Sequence, residues 1–279
     1  MLDIDPKRDG SPPLPAATVI LLRDGDHGVE IFMVQRHRRL QFMGGATVFP
    51  GGKLDASDAE SALLAHADVS IEDAARALDE PVSSEALALF VAAIRETFEE
   101  SGVLLGKSER ALDLDALRVA SSAPNTFGPM VLAQGIRLEA SRMVPLSRWV
   151  TPIVEKRRFD ARFFLVRVEP DTRAAHDHAE SIAGAWLTAS EAVERHGRAE
   201  IDLPPPTLRT LELLLPFARA EDAIADARDN RPRIVPPVFC VPDGDWVLAL
   251  PGDPLHPDPG PVIGGPTRFT AKDARWFSG

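Results

Sequence analysis

The sequence predicts a layered α/β or α+β domain, and three observations carry that prediction. Apolar, β-branched runs of strand length are interleaved with stretches of helical spacing. No internal repeat is present, which sets solenoids and propellers aside. The 279 residues are 44% hydrophobic, enough for one sizeable core with elaborations.

After the Pro-rich leader, "AATVILLRD" and "VEIFMVQRH" flank "GDHG" and predict a hairpin. "ATVFPGG" reads as a short strand ending in a Pro-Gly-Gly turn. From Ser57 to about Leu78, "ASDAESALLAHA" and "SIEDAARAL" each predict a capped helix. Pro81 ends that pattern, and Ser83 or Ser84 can cap the long helix "SSEALALFVAAIRETFEESG", which Gly102 stops. "SRMVPLSRWVTP" and "FDARFFLVRVEP" predict two more strands. "GAWLTASEAVERHG" predicts a strand edge feeding a helix capped by Thr188 or Ser190. A helix is expected from near Thr207 in "PPPTLRTLELLLPFARA", and one strand, "DWVLALPG", in the tail. The expected organisation is a flexible leader over 1–14, a main domain over 15–220 with a helical insertion over about 57–82, and a Pro/Gly-rich C-terminal extension over 221–279.

A formal charge of −11 argues against general binding to nucleic-acid backbones or anionic membranes, while leaving room for a phosphorylated small molecule held by local positive charge. The single cysteine, Cys240, excludes an internal disulfide and a thiolate zinc cage. The leader lacks secretory-signal regions and no apolar run spans a bilayer, so a cytoplasmic location is expected. Oligomeric state is left open, a homodimer included.

The chemistry is concentrated in "RETFEESG". Glu96, Glu99 and Glu100 stand at i, i+3 and i+4, so their carboxylates share one helix face. They repel one another and sit near the helix C-terminus, where the macrodipole disfavours negative charge. Arg95 reaches Glu99 at i+4 but cannot neutralise three acids. Two readings stand: a solvated acidic face, or a site for a hard divalent cation. The apolar run "LALFVAAI" just before it suggests a buried helix and favours the second.

Arg95-Glu96-x-x-Glu99-Glu100-x-Gly102-Val103 resembles the second half of the Nudix box, G-x5-E-x7-R-E-U-x-E-E-x-G-U, with U a bulky aliphatic residue. The first half resembles "FPGGKLDASD", with Gly52 as the opening glycine. Relative to the box, 29 residues are inserted between the halves, Asp58 stands where Glu is expected, and Thr97 replaces an aliphatic residue. Such an interrupted box is similar to that of a Nudix subgroup resembling coenzyme A diphosphatases.

The resemblance implies a Nudix fold, a mixed sheet sandwiched between helices with the insertion inside the box. It also implies a Mg²⁺- or Mn²⁺-dependent diphosphatase. On that basis Glu96, Glu99, Glu100 and the Gly51 carbonyl are the expected metal ligands. Glu99 is alternatively the base, Arg95 orients the carboxylates, and Glu180 is a later candidate base or an exposed loop acid. The expected substrate contacts are Arg36, Arg38 and Arg39 in "VQRHRRLQF", and Arg157 and Arg158, with Lys156, in "TPIVEKRRF". The alternative for "RHRR" is a solvated turn. A later arginine of the subgroup signature is absent, Gln41-Phe42 standing there. "HDH", His176 to His178, reads as a solvated loop rather than a metal site. The expected substrate is CoA or acyl-CoA. ADP-ribose, NADH or a nucleoside triphosphate are alternatives, as is a non-catalytic nucleotide-binding regulator.

Overall fold

The computed structural model describes residues 11–40, 43–121, 123–177 and 180–279. Leader residues 1–10, Gln41-Phe42 and His178 lie outside them.

Strands β1 (Leu14–Gly25) and β2 (Gly28–Arg36) form the expected hairpin, with Gly25 opposite Gly28. β3 (Thr47–Val48) and β4 (Gly51–Lys53) follow. The insertion comprises a one-turn 3-10 helix at Ala56–Ala59, a single-turn α1 (Ser61–Leu64) and α2 (Ile71–Leu78). The first predicted helix there is thus broken in two at Glu60, whose backbone is extended. The long α3 (Ser84–Ser101) has Ser83 at its N-cap position, with no capping bond from the side chain, and stops at Gly102, which adopts the left-handed conformation at φ 75°. β5 (Gly106–Lys107), α4 (Leu114–Ser121), α5 (Phe127–Gln134) and β6 (Arg137–Leu138) lead to β7 (Val144–Val150) and β8 (Phe159–Arg167). β9 (Ser181–Thr188) feeds α6 (Ala189–Gly197), where Thr188 caps and Glu191 completes a capping box. α7 (Pro205–Leu214) begins two residues before the expected Thr207, because Pro205 and Pro206 fit the first helical positions, where no N–H is needed. α8 (Ala220–Asp229) and five short strands complete the chain: β10 (Arg233–Val235), β11 (Val238–Cys240), β12 (Val247–Ala249), β13 (Arg268–Lys272) and β14 (Arg275–Ser278).

The main sheet runs β10-β7-β8-β1-β2-β3, with β4 paired to β1 and β9 to β2. β1 is parallel to β8 and antiparallel to β2 and β4, so the sheet is mixed. Alternate residues of β1 enter two separate cores: Val19 and Leu21 pack toward α3, while Ile20 and Leu22 pack toward α6, α7 and α8. Burial on both faces explains why β1 reads as a continuous apolar run rather than an alternating one. Leu87, Val91, Ile94 and Phe98 fix α3 to the sheet at helical spacing and are almost fully buried. Each contributes about 2 kcal/mol of burial free energy. The tail holds more structure than one strand, with β11, β12, β13 and β14 forming a four-stranded antiparallel sheet. Among the described residues no helix is long and apolar enough to cross a membrane.

Candidate active site

β4 and the last turns of α3 meet at the N-terminal end of β1. Two glycines let them approach. A Cβ on Gly51 would stand 2.4 Å from the Ala17 carbonyl oxygen, and one on Gly52 would stand 2.4 Å from a Glu96 carboxylate oxygen. Gly51 N–H donates to Glu100 Oε2 at 2.9 Å.

Arg95 organises the acids. It is 7% exposed and forks onto Asp58, Nε to Oδ1 at 2.7 Å and Nη2 to Oδ2 at 2.9 Å. Its Nη1 donates to Glu96 at 2.8 Å and to Glu99 at 3.2 Å. The interrupted halves of the box are rejoined through this guanidinium. Asp58 is fully buried, and it also accepts from the Asp55 N–H at 2.9 Å, which closes its 3-10 turn. Thr97 is tolerated in place of an aliphatic residue because its buried hydroxyl donates to the Ala93 carbonyl at 2.7 Å.

Burial opposes the Arg95 charge, but the Asp58 hydrogen bonds and the charges of Glu96, Asp58 and Glu99 outweigh it and hold its pKa above the ordinary arginine range. Burial pushes Glu99 up to about 7 even with Arg95 pulling it down. Burial also raises Glu96, against the same arginine. Glu100 is raised well above the carboxylate range, by burial first and then by the neighbouring Glu96 charge.

Glu96, Glu100, Gly51, Arg36 and Glu180 all line one cavity of about 320 Å³. Arg36, the last residue of β2, enters it where the pairing with β9 shifts register between Gln35 and Arg36. Its guanidinium stands 3.9 Å from Glu100 and 3.4 Å from Glu180. Asp177 holds the Glu180 loop by accepting from the N–H groups of Glu180 and Ser181, the latter at 2.9 Å. The remaining wall is mostly apolar, with Phe49, Trp149, Phe159 and Phe163 and with Pro204 and Pro206 at the start of α7, and it includes Lys53, Thr18, Thr151 and Thr207.

Glu99 is held beside this group by Arg95 but does not line the cavity. Arg38 and Arg39 are exposed in the turn after β2, and Arg157 is exposed before β8; none of them lines the cavity. Arg158 donates to the carbonyls of Thr151 and Ser11, at 3.0 and 2.8 Å, and so ties the segments after β7 and before β1 to the start of β8. Two residues with no sequence signal take part. Arg118 of α4 donates from Nε and Nη2 to the Glu99 carbonyl at 3.1 and 3.0 Å, putting a cation at the C-terminus of α3 and offsetting the dipole problem. Trp149 lines the apolar wall.

Among the described residues no three His, Cys, Asp or Glu side chains are arranged to hold an ion by themselves. Glu96 and Glu100 nevertheless fit a hard cation that completes its shell with water and substrate oxygens, as Mg²⁺ does. Both are pushed toward protonation by burial, and Arg36, at 3.9 Å, is too far to satisfy Glu100.

A mixed sheet between helical layers, with a glycine turn closing on the carboxylates of α3, defines a Nudix-fold protein. More specifically, the chain belongs to the NUDT19 Nudix domain family, which matches residues 66–214, over half its length. It is 29% identical to the acyl-coenzyme A diphosphatase NUDT19 of Gallus gallus, across 82% of this chain and 73% of that protein. It is 27% identical to the protein of that name from Homo sapiens, across 82% and 72%. The crystal structure of a NUDIX hydrolase from Alicyclobacillus acidocaldarius superposes with a TM-score of 0.65 at 26% identity, covering 77% of this chain and 96% of that one.

Proposed function

We propose that the protein is a divalent-metal-dependent Nudix diphosphatase that hydrolyses CoA or its acyl esters to 3′,5′-ADP and (acyl-)4′-phosphopantetheine. The observation that carries this reading is the convergence of Glu96, Glu100, Glu180 and Arg36 on one largely apolar cavity. The names of the relatives supply the substrate class.

Glu96 and Glu100, with the Gly51 carbonyl as a further ligand, would hold Mg²⁺ or Mn²⁺, and Glu99, held beside them by Arg95, is either a third ligand or the base. When bound, the ion supplies neutralisation of the diphosphate charge and lowers the pKa of an attacking water. Arg95 fixes the carboxylates through three partners at once, a geometry that lysine cannot reproduce. Arg36 brings positive charge to the cavity end where phosphoryl oxygens would lie. Glu180, more than half exposed and held 3.4 Å from Arg36, and Glu99, poised near neutrality, are the two candidates for removing a proton from water.

Hydrolysis of CoA in H₂¹⁸O with Mg²⁺ or Mn²⁺, read by mass spectrometry, tests the reading. The expected products are 3′,5′-ADP and 4′-phosphopantetheine with one ¹⁸O on a single phosphate. Turnover of ADP-ribose or NADH with none of CoA would overturn the substrate assignment, and no turnover of any diphosphate would overturn the enzyme.

A further inference from the structure

The apolar half of the cavity contains a polar group that the acidic half does not use. Trp149 is 3% exposed, and its indole Nε1 is buried without a hydrogen-bond partner. An unmade buried hydrogen bond costs about 1–3 kcal/mol, so an orphan donor in a cavity wall marks a place for an acceptor. The indole sits on β7 directly opposite Ala161 of β8, itself a cavity residue.

Charge decides which half of the substrate fits. Among the described lining residues the cations are Arg36 and Lys53. Arg36 faces Glu100 and Glu180, while Lys53 is exposed, pairs with Asp55 and stands on β4, separated from the Trp149 strand β7 by β1 and β8. A 3′-phosphate carried on the ribose would enter a chamber walled by Phe49, Phe159 and Phe163 without a counter-charge, which is strongly unfavourable. A neutral aliphatic arm with amide carbonyls suits the same chamber, burying its methylenes and offering one acceptor to one donor.

Resting on the CoA reading above, we infer that the Trp149 chamber is the subsite for the amide-bearing pantetheine arm, with Trp149 Nε1–H donating to an amide carbonyl. Trp149 is then a specificity-determining residue, and the 3′-phosphorylated nucleotide lies on the Arg36 side.

Two measurements test this. In ¹H–¹⁵N spectra of the wild-type protein, with the Trp149 indole resonance assigned from its loss in Trp149→Phe, 4′-phosphopantetheine shifts that resonance and 3′,5′-ADP does not. In steady-state kinetics Trp149→Phe, which keeps the ring and removes the donor, raises KM for CoA and dephospho-CoA alike by roughly fivefold with kcat little changed. A shift caused by 3′,5′-ADP, or by neither product, overturns the inference, as does an unchanged KM for CoA. Absence of CoA turnover in the wild type would instead sink the proposed function. The spectra, recorded on the wild-type protein, separate the two failures.

Discussion

Two buried charge clusters sit on this sheet, and they are built differently. At one, Arg148 and Arg162 face Asp160 and Glu80. Arg148 forks onto Asp160 at 2.7 and 2.6 Å, and Arg162 forks onto Glu80 at 2.9 and 3.1 Å. Charges are matched one for one, and the cluster ties the end of the insertion to β7 and β8. At the other, Arg95 and Arg36 face Asp58, Glu96, Glu99, Glu100 and Glu180, and the carboxylates outnumber the guanidiniums. A balanced cluster is complete as a clamp. An unbalanced one, whose Glu96, Glu99 and Glu100 are pushed toward protonation by burial, carries surplus negative charge that a proton or a bound cation would offset.

The sharpest way to break the comparison is Glu100→Gln. If the surplus acid exists for a metal, kcat for CoA falls about 10³-fold while the thermal transition is unchanged or raised, since a repelling charge is lost. An unchanged rate would make the α3 acids structural. The matched cluster responds oppositely. Glu80→Ala leaves Arg162 short of its partner and lowers unfolding free energy by about 3 kcal/mol in a denaturant titration, with kcat per folded molecule unchanged. Arg36→Ala has a smaller effect, raising KM for CoA about tenfold and for dephospho-CoA less, if Arg36 reads the 3′-phosphate. Equal effects on the two substrates would remove that role.

The smallest expected effect is on pH dependence. Glu99 rises in the folded state from 4.5 to about 7, so the fold holds more protons than the unfolded chain between those values. Stability without metal therefore falls as pH rises from 4.5 to 7 and stays low above it. Glu96 and Glu100 act in the same direction. Differential scanning calorimetry should give a higher Tm at pH 5 than at pH 8, and Mg²⁺ or Mn²⁺ should recover the loss at pH 8. A Tm that rises between pH 5 and 8 without metal contradicts this.

Local pattern made the α3 acids legible, because helical spacing alone places Glu96, Glu99 and Glu100 on one face. The β1–β2 hairpin and the Thr188 cap were legible for the same reason. What depends on distant pairing was not. Arg118 meets the end of α3 from another helix, 19 residues on, and no sequence pattern marks it. Arg36 is the last residue of β2, whereas Arg38 and Arg39 fall in the exposed turn beyond it, a boundary that "RHRR" does not mark. The four-stranded tail sheet was reduced to one strand because its members are three to five residues long and lie between prolines and glycines. α4 and α5 carried no expectation.

The Asp58–Arg95 bridge spans 37 positions, where the uninterrupted box spans eight. For a flexible loop, that lengthening raises the entropy of closure by only about 1.4 kcal/mol. Leu63, Leu64, Ala74, Ala75 and Leu78 of the insertion are buried in the α3-side core, and their burial offsets more than that. A catalytic motif closed by a salt bridge rather than by chain continuity can therefore admit a folded segment at its centre, provided both ends return to the same guanidinium.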